Sequence, residues 1–401
     1  GVFLNFAIKA NTSTKDKILL RLNEIIRRYD KNYNLRRFDF NQNYIDSLDK
    51  NDNLSSFKND FLHAKDNICY LDGNSLGRLP KKTIRVVSSF LKDEWGGHLV
   101  EGWDQWINEA QVSGNFLADS VLGADIGTVL VCDTTSINFY QLCSSVVMSS
   151  PDRKTIITDA ANFPTDRYIL EGIADIFNLN LIIIDNDSVD DDNYEIISPK
   201  ILEKYLSDDV SLVTFQVLQY RSGALNPVKD ITRLARSYGA LTVWDASHAA
   251  GSVKLAFKEN SIDLAVGCTY KYLCSGPGSP AWLYVSKDLQ EKLNVPIQGW
   301  FAQKNQFDME PVFNRTKNIR GFQISSPSLI GLRSVNVSCE IYRSAKMDNI
   351  INKAHTGTEL MIDLYDQWLK ELGFKLMTPR DSLKRGCHIS LMHEYAKKIS
   401  R

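Results

Sequence analysis

The chain has 401 residues, of which 43% are hydrophobic and 24% charged, and its formal net charge is −1. These values predict an ordinary soluble globular protein with one large and one smaller domain, and they favour neither nucleic acid nor another polyanion as a partner. No apolar run approaches the roughly 18 residues that a membrane span requires.

The seven cysteines are widely spaced and form no C-x-x-C pair. This pattern predicts free thiols in a reducing compartment, for which the cytoplasm is the simplest choice. It predicts neither a disulfide framework nor a metal site.

Residues 1–67 carry amphipathic helical patterns, which predict a helical arm packed on the main body. The clearest of these patterns contains Ile18, Leu19, Leu22, Ile25 and Ile26. Within residues 9–37, arginines alternate with aromatic residues, an arrangement that can contact nucleic acid. Nearby acidic residues favour a solvated helix face instead.

A short strand is predicted at 68–71, followed by a turn-rich loop at 72–77 and a helix opened by Pro80. The loop either connects two elements or lays its backbone amides against a ligand. From about residue 128, strands alternate with helices, which indicates an α/β domain with a mostly parallel sheet. The predicted strands are 129–132, 155–158, 181–184, 212–215, 241–244 and 281–285.

Polar residues follow the first of these strands where a helix begins. Thr135 and Ser136 stand near the start of that helix, just before Ile137. Free N–H groups, the helix dipole and several hydroxyls make such a terminus suitable for a phosphate. Ordinary N-capping accounts for one of the hydroxyl residues without any ligand.

A second polar group follows the strand at 155–158. Phe163 can stack on a flat ring, Pro164 fixes the loop, and Asp166 can accept hydrogen bonds, with Thr165 between them.

Two charged residues carry the central chemical hypothesis. Asp245 ends the buried strand at 241–244, and Lys271 lies 26 positions later, before a turn containing Gly276 and Gly278. A pyridoxal phosphate site needs such a pair, because the lysine binds the cofactor covalently and a carboxylate keeps the pyridine nitrogen protonated. The simpler interpretation is a turn aspartate and a surface lysine.

Beyond Lys271, the aromatics at 299–301 serve either in core packing or in ligand contact. Long helices are predicted at 329–346 and 350–372, and a strand of a small α+β domain at 385–391. The domain prediction is therefore a helical arm at 1–67, a large domain at 68–315 and a small, apparently truncated domain at 316–401. Residues 68–98 of the large domain could pack with the small one.

Seven segments in order resemble the kynureninase family, and the resemblance extends from about residue 70 to 391. They are YLDGNSLGRLP at 70–80, DTTSIN at 133–138, FPTD at 163–166, WDASHAAG at 244–251, YKYL at 270–273, GWF at 299–301 and RGC at 385–387. The resemblance implies the α/β fold of the pyridoxal phosphate-dependent transferases of fold type I. It also implies a homodimer whose active site lies at the subunit interface.

The resemblance further assigns roles to individual residues. Lys271 would hold the cofactor and act as general base, Asp245 would pair with the pyridine nitrogen, and His248 would lie beside the ring. Further cofactor contacts would come from Thr135, Ser136, Phe163, Pro164, Thr165, Asp166, Gln216 and Tyr270, and from Trp300 and Ser326 across the subunit interface. The substrate would contact Ser75 and His98, and Arg385 would bind its α-carboxylate.

The implied reaction is the hydrolysis of L-kynurenine or 3-hydroxy-L-kynurenine to anthranilate or 3-hydroxyanthranilate and L-alanine, in tryptophan catabolism and NAD synthesis. A tyrosine such as Tyr220 or Tyr270 is a candidate for activating the water. The alternatives are a cysteine desulfurase or an aminotransferase of the same fold, and a non-catalytic homologue that acts as a binding protein.

Overall fold

The computed structural model describes residues 8–9, 42–63, 68–186 and 194–399. Its strands are β1 (Ile8–Lys9), β2 (Ile68–Cys69), β3 (Val129–Val131), β4 (Thr155–Asp159), β5 (Asn180–Ile184), β6 (Val210–Gln216), β7 (Leu241–Asp245), β8 (Leu264–Gly267), β9 (Trp282–Val285), β10 (Lys375–Leu376) and β11 (Leu391–Met392).

The helices alternate with these strands through the middle of the chain. They are α1 (Gln42–Lys50), α2 (Lys81–Ser89), α3 (Gly96–His98), α4 (Trp103–Trp106), α5 (Glu109–Leu117), α6 (Thr135–Ser149), α7 (Pro164–Phe177), α8 (Pro199–Leu202), α9 (Val228–Ser237), α10 (Lys287–Gln290), α11 (Leu329–Ala345), α12 (Met347–Leu364) and α13 (Ala396–Ile399).

A seven-stranded sheet organises the fold, with the strand order β3-β9-β8-β7-β6-β4-β5. The strands β5, β4, β6, β7 and β8 are parallel, and β9 runs antiparallel to both β8 and β3. Together with its alternating helices, this mostly parallel sheet confirms the predicted fold class.

Both faces of the sheet are covered, so its strands are buried on two sides, except the partly exposed edge strand β5. Alternate residues of one strand enter separate buried clusters: Val129 and Val131 join one, and Leu130 between them joins the other. Each fully buried side chain of this size stabilises the fold by roughly 1.5–3 kcal/mol. This double burial explains why the sequence shows the strands as continuous apolar runs.

The carboxyl ends of the parallel strands meet at one edge of the sheet. Asp159 ends β4, Gln216 ends β6 and Asp245 ends β7, and Gln216 is paired directly with Asp245. Since apolar residues precede each of them, the polar side chains come out where the strand leaves the core. This edge is where ligands bind in open α/β sheets.

Two expectations change in the structure, and a third cannot be compared with it. The helical pattern at Ile18 to Ile26 lies outside the described residues, whereas Ile8–Lys9, within the expected helical arm, is a strand paired with Ile68–Cys69. The strand predicted at 385–391 is wrong for 386–390: Arg385 forms an isolated antiparallel bridge with Ala224, and Leu391–Met392 pairs with Lys375–Leu376. The reason is that Gly386 N–H donates to the carbonyl of Gly223, so this backbone bonds a loop of the large sheet and not a neighbouring strand.

Helix α11, which falls in the predicted small domain, packs against α5 and α2. Its Leu332, Val335 and Tyr342 share a buried cluster with residues of the large sheet. A separate small cluster contains Tyr365 and Leu391. The domain boundaries at 67 and 315 stay predictions.

Candidate active site

A cavity of about 350 Å³ opens at the carboxyl edge of the sheet. The ends of β7 and β8 form its floor, and the first turns of α6 and α7 form its sides. Its lining residues are Thr134, Thr135, Ser136, Phe163, Thr165, Asp166, Asp245, Ser247, His248, Cys268, Tyr270, Lys271, Gly278, Ser279 and Ala281. The structure thus brings together nine of the residues named from the sequence.

Lys271 and His248 are in direct contact within this cavity. Lys271 Nζ lies 2.8 Å from His248 Nε2, and only 9% of the lysine is exposed. Burial lowers the pKa of His248 well below its usual value, and the positive charge of Lys271 lowers it further. His248 is therefore neutral, so Nε2 can accept a hydrogen bond from the lysine while Nδ1 carries the ring proton.

Two carboxyl groups face the cavity from neighbouring elements. Asp245 ends β7, and its Oδ1 accepts a hydrogen bond of 2.9 Å from Ser247 N–H. Asp166 lies in the first turn of α7, where burial and the negative charge of Asp245 raise its pKa well above the usual value. Oδ2 of Asp166 is buried and has no hydrogen-bond partner among the described residues. The pair suits a ligand that brings a protonated nitrogen.

The other end of the cavity is the start of helix α6. Thr134 caps the helix, accepting a hydrogen bond of 3.3 Å from Ile137 N–H. The cap is therefore Thr134, which leaves Thr135 and Ser136 in the first turn facing the cavity. With 15 residues behind it, this helix end presents free N–H groups and the positive end of a dipole to an anion.

An aromatic wall stands above the lysine. The ring centroid of Phe163 lies 5.8 Å from Lys271 Nζ. The Phe163 ring packs edge-on against that of Tyr220, with 5.2 Å between the two centroids. Tyr220 in turn lies 6.2 Å from the ring of His248. Burial raises the pKa of Tyr270 to about 12, so that phenol keeps its proton and can donate a hydrogen bond.

Several residues named from the sequence lie outside the lining of this cavity. Pro164 occupies the first position of α7, and the buried Gln216 accepts a hydrogen bond from Tyr220 N–H at 3.1 Å. The other four, Ser75, His98, Trp300 and Ser326, are exposed. Their predicted contacts stay predictions.

Arg385 also lies outside the cavity, and it is completely buried. Its guanidinium donates to the hydroxyl of Thr358, to a carboxylate oxygen of Glu359 and to the carbonyls of Pro379 and Arg380. These partners take up four of the five N–H donors of the guanidinium. Its predicted contact with the substrate carboxylate stays a prediction.

Six lining residues had no predicted role in the site: Thr134, Ser247, Cys268, Gly278, Ser279 and Ala281. Cys268 follows directly after β8. The apolar run at 264–267 is the signal that could have marked both this strand and the cysteine after it. Ser279 lies in a turn that lines the cavity, and its hydroxyl is 2.6 Å from that of Thr269. Nothing in the sequence around Ser279 predicts this position.

Residues 119–397 match the family described as Aminotransferase class-V. The chain is 33% identical to the kynureninase of Pseudomonas fluorescens over 86% of this chain and 82% of the relative. It is 30% identical to the kynureninase of Deinococcus radiodurans over 88% and 85%.

Solved structures show the same fold at low identity. A cysteine desulfurase from Thermococcus onnurineus is 17% identical, with a TM-score of 0.68 over 87% of this chain and 82% of that one. A C-DES mutant with glycine covalently linked to its PLP cofactor is 16% identical, with a TM-score of 0.68 over 81% and 83%. The matches to relatives of 30% identity or more, over most of both sequences, decide the family: this chain belongs to the kynureninases, within the class-V aminotransferases.

Proposed function

We propose that this protein is a pyridoxal phosphate-dependent hydrolase that converts L-kynurenine or 3-hydroxy-L-kynurenine into anthranilate or 3-hydroxyanthranilate and L-alanine. The reaction belongs to tryptophan catabolism and leads towards NAD. The observation that carries the proposal is the meeting of Lys271 and Asp245 in one cavity of a chain that belongs to the kynureninases.

The cavity fits the cofactor at both ends. The unpartnered, buried Oδ2 of Asp166 and the carboxylate of Asp245 suit a protonated ring nitrogen. Thr135 and Ser136, at the start of α6, suit the phosphate. Lys271 lies within the same lining and supplies the amine for covalent attachment.

When bound, the cofactor supplies an electron-withdrawing ring that stabilises negative charge developing on the substrate. Lys271 Nζ, once released from covalent attachment, takes the proton from the substrate's Cα. Neutral His248 accepts a hydrogen bond from this lysine and adds no second positive charge beside it. The Phe163 ring, 5.8 Å from Lys271 Nζ, would stack on the ring of the bound cofactor.

The test is to mix the purified protein with pyridoxal phosphate and either substrate and to follow the fluorescence of anthranilate or 3-hydroxyanthranilate. We expect product from at least one of them, and none from Lys271→Ala. A protein that shows the absorbance of the bound cofactor but makes neither product would contradict the kynureninase assignment. A protein that never binds the cofactor would instead be the non-catalytic homologue.

The rival activity is that of a cysteine desulfurase, the kind of enzyme found among the solved structures. Such an enzyme needs a reactive thiolate near the lysine. Burial raises the pKa of Cys268, and it raises that of Cys274 to about 12. Both thiols near Lys271 are therefore protonated and unreactive, which disfavours the rival. Release of sulfide from L-cysteine would support it.

We further propose a cytoplasmic homodimer in which Trp300 and Ser326 reach the cavity of the neighbouring subunit. Trp300 is 43% exposed and lies outside the cavity of its own chain, and Phe307 and Met309 beside it are exposed too. Sedimentation gives the mass. If the two subunits share each active site as proposed, mixing Trp300→Ala with Lys271→Ala protein restores part of the activity, because one site of each hybrid dimer is complete.

Among the described residues, no helix is long and apolar enough to span a membrane, and no cluster of ligating side chains is placed to hold a metal.

A further inference from the structure

The C-terminal segment reaches the active site by packing on the loop that follows β6. Leu225 N–H donates to the carbonyl of Lys384 at 2.9 Å, and Gly386 N–H donates to that of Gly223 at 2.9 Å. The buried guanidinium of Arg385 ties the same segment to α12 through Thr358. This anchorage fixes the position of the residues that follow, among them His388.

His388 lies beside the histidine of the cavity. Its ring centroid is 6.2 Å from that of His248, and only 9% of the residue is exposed. Its Nδ1 lies 3.5 Å from the hydroxyl of Tyr272, a long hydrogen bond. Its Nε2 is buried and makes no hydrogen bond with the described residues.

The backbone leaves space for this ring. Gly223 has a φ of +73°, and a Cβ there would lie 3.0 Å from His388 Nε2. Any other residue at 223 would be strained and would press on the imidazole. The glycine is thus matched to the histidine.

His388 extends the aromatic wall of the site. Phe163, Tyr220, His248, His388 and Tyr272 follow one another in contact. We call these five rings the aromatic arc. Gly73 lies next to the Tyr272 ring, so the arc ends at the 72–77 loop. That loop contains Ser75, which is expected to meet the substrate.

We propose that His388 is a positioning residue of the active site. It accepts a hydrogen bond from the Tyr272 hydroxyl and packs against His248. In this way it holds the end of the aromatic arc that lies next to the 72–77 loop. The proposal rests on the proposed function. It gives the C-terminal segment a role in the active site, in which Arg385 anchors the segment and His388 makes the contacts.

The charge states of the two partners agree with this direction of the hydrogen bond. Burial lowers the pKa of His388 to about 4, so the ring is neutral near neutral pH and has a nitrogen available as an acceptor. Burial raises the pKa of Tyr272 well above its usual value, so the phenol keeps its proton and donates. A neutral His388 also adds no second cation near Lys271.

The experiment compares His388→Gln, which keeps a neutral acceptor, with His388→Phe, which keeps only a ring. In the holoenzyme acting on kynurenine, we expect kcat to fall about tenfold in His388→Phe, with KM changed less than about threefold, since one hydrogen bond is lost. His388→Gln should stay within about threefold of wild type. Tyr272→Phe should lower kcat similarly, and combining it with His388→Phe should add little.

His393→Gln is the matched control, because it removes a histidine from the same segment whose ring packs on Phe374, away from the cavity. The unfolding temperature of each holoenzyme shows that it is folded. A fully active His388→Phe, a His388→Gln as impaired as His388→Phe, or additive effects of the two substitutions would overturn the proposal.

A separate readout distinguishes this proposal from the proposed function. If the wild type turns over neither kynurenine nor 3-hydroxykynurenine, the proposed function fails, but the visible circular dichroism of the bound cofactor still reports on His248 and its neighbours. His388→Phe should change that band, whereas His388→Gln and His393→Gln should leave it unchanged. An unchanged band in His388→Phe would then overturn the role of His388.

Discussion

Replacing Asp159 with Asn should stabilise the protein, and increasingly so as the pH rises. Asp159 ends β4, is 3% exposed, and accepts a hydrogen bond of 3.0 Å from Asn186 Nδ2. Burial raises its pKa from the ordinary value of 3.8 to about 7. An asparagine keeps an oxygen that can accept from Asn186 and removes the ionisation.

The sign follows from the direction of the pKa change. Because the folded-state pKa of Asp159 lies above the unfolded value, the unfolded chain loses this proton first as the pH rises, and the folded state loses stability until about pH 7. At 1.36 kcal/mol per pH unit, the cost of the carboxyl rises from about 2 kcal/mol at pH 5 to about 4 kcal/mol at pH 8. Asp159→Asn should therefore gain roughly 2–3 kcal/mol relative to wild type between these two pH values.

Urea unfolding of the cofactor-free protein at pH 5 and pH 8 measures this gain. Asp209, next to the start of β4, provides a control of opposite sign, because its hydrogen bond from Thr155 lowers its pKa. Asp209→Asn should lose stability relative to wild type as the pH rises. A stability difference between Asp159→Asn and wild type that is equal at pH 5 and pH 8 would refute the reasoning.

Three further substitutions test the site. Gly77→Ala should weaken cofactor binding, measured by absorbance titration, and lower stability by about 1–3 kcal/mol, measured by thermal melting, because its Cβ would collide with the Lys271 carbonyl. Gly97→Ala is the control: the space around Gly97 is open, so both measurements should stay near the wild-type values. Asp245→Asn should lower kcat by at least about 100-fold while the cofactor still binds, because an amide cannot balance the charge of a protonated ring nitrogen; turnover near the wild-type rate would count against its role. Arg385→Met should destabilise the cofactor-free protein by about 2–4 kcal/mol in urea, since it leaves buried carbonyls unpaired; unchanged stability would leave the guanidinium free for the predicted substrate contact.

The sequence was sufficient for six of the seven strands of the large sheet, because most of them are buried on both faces; β8 was not predicted. The run 241–244 consists of strand-favouring, mostly apolar residues and ends at a carboxylate, so both the strand and the position of Asp245 at its carboxyl end could be predicted. Lys271 could be predicted only as the chemical partner of that carboxylate. It lies in a turn four residues after β8, where no periodicity marks it.

The remaining features depend on contacts between distant parts of the chain. The strand predicted at 385–391 failed because the backbone there bonds to the loop at Gly223 and Leu225, more than 150 positions away. The partners of Arg385 and the place of His388 beside His248 follow from that same docking. Neither leaves a local pattern in the sequence. The residues around an arginine do not show whether its side chain binds a ligand or anchors a segment.

The distribution of charge in the cavity favours one orientation of the proposed cofactor over the reverse one. Asp166 and Asp245 lie at the sheet edge, and the only histidine in the cavity lining is held neutral by burial and by Lys271. A phosphate at that end would meet two carboxyl groups, whereas the start of α6 offers it N–H donors, hydroxyls and a favourable dipole. A ring nitrogen at the helix end would in turn find no carboxylate among the lining residues there. The two ends are therefore not interchangeable: Asp166 and Asp245 would hold the ring nitrogen, and the start of α6 would hold the phosphate.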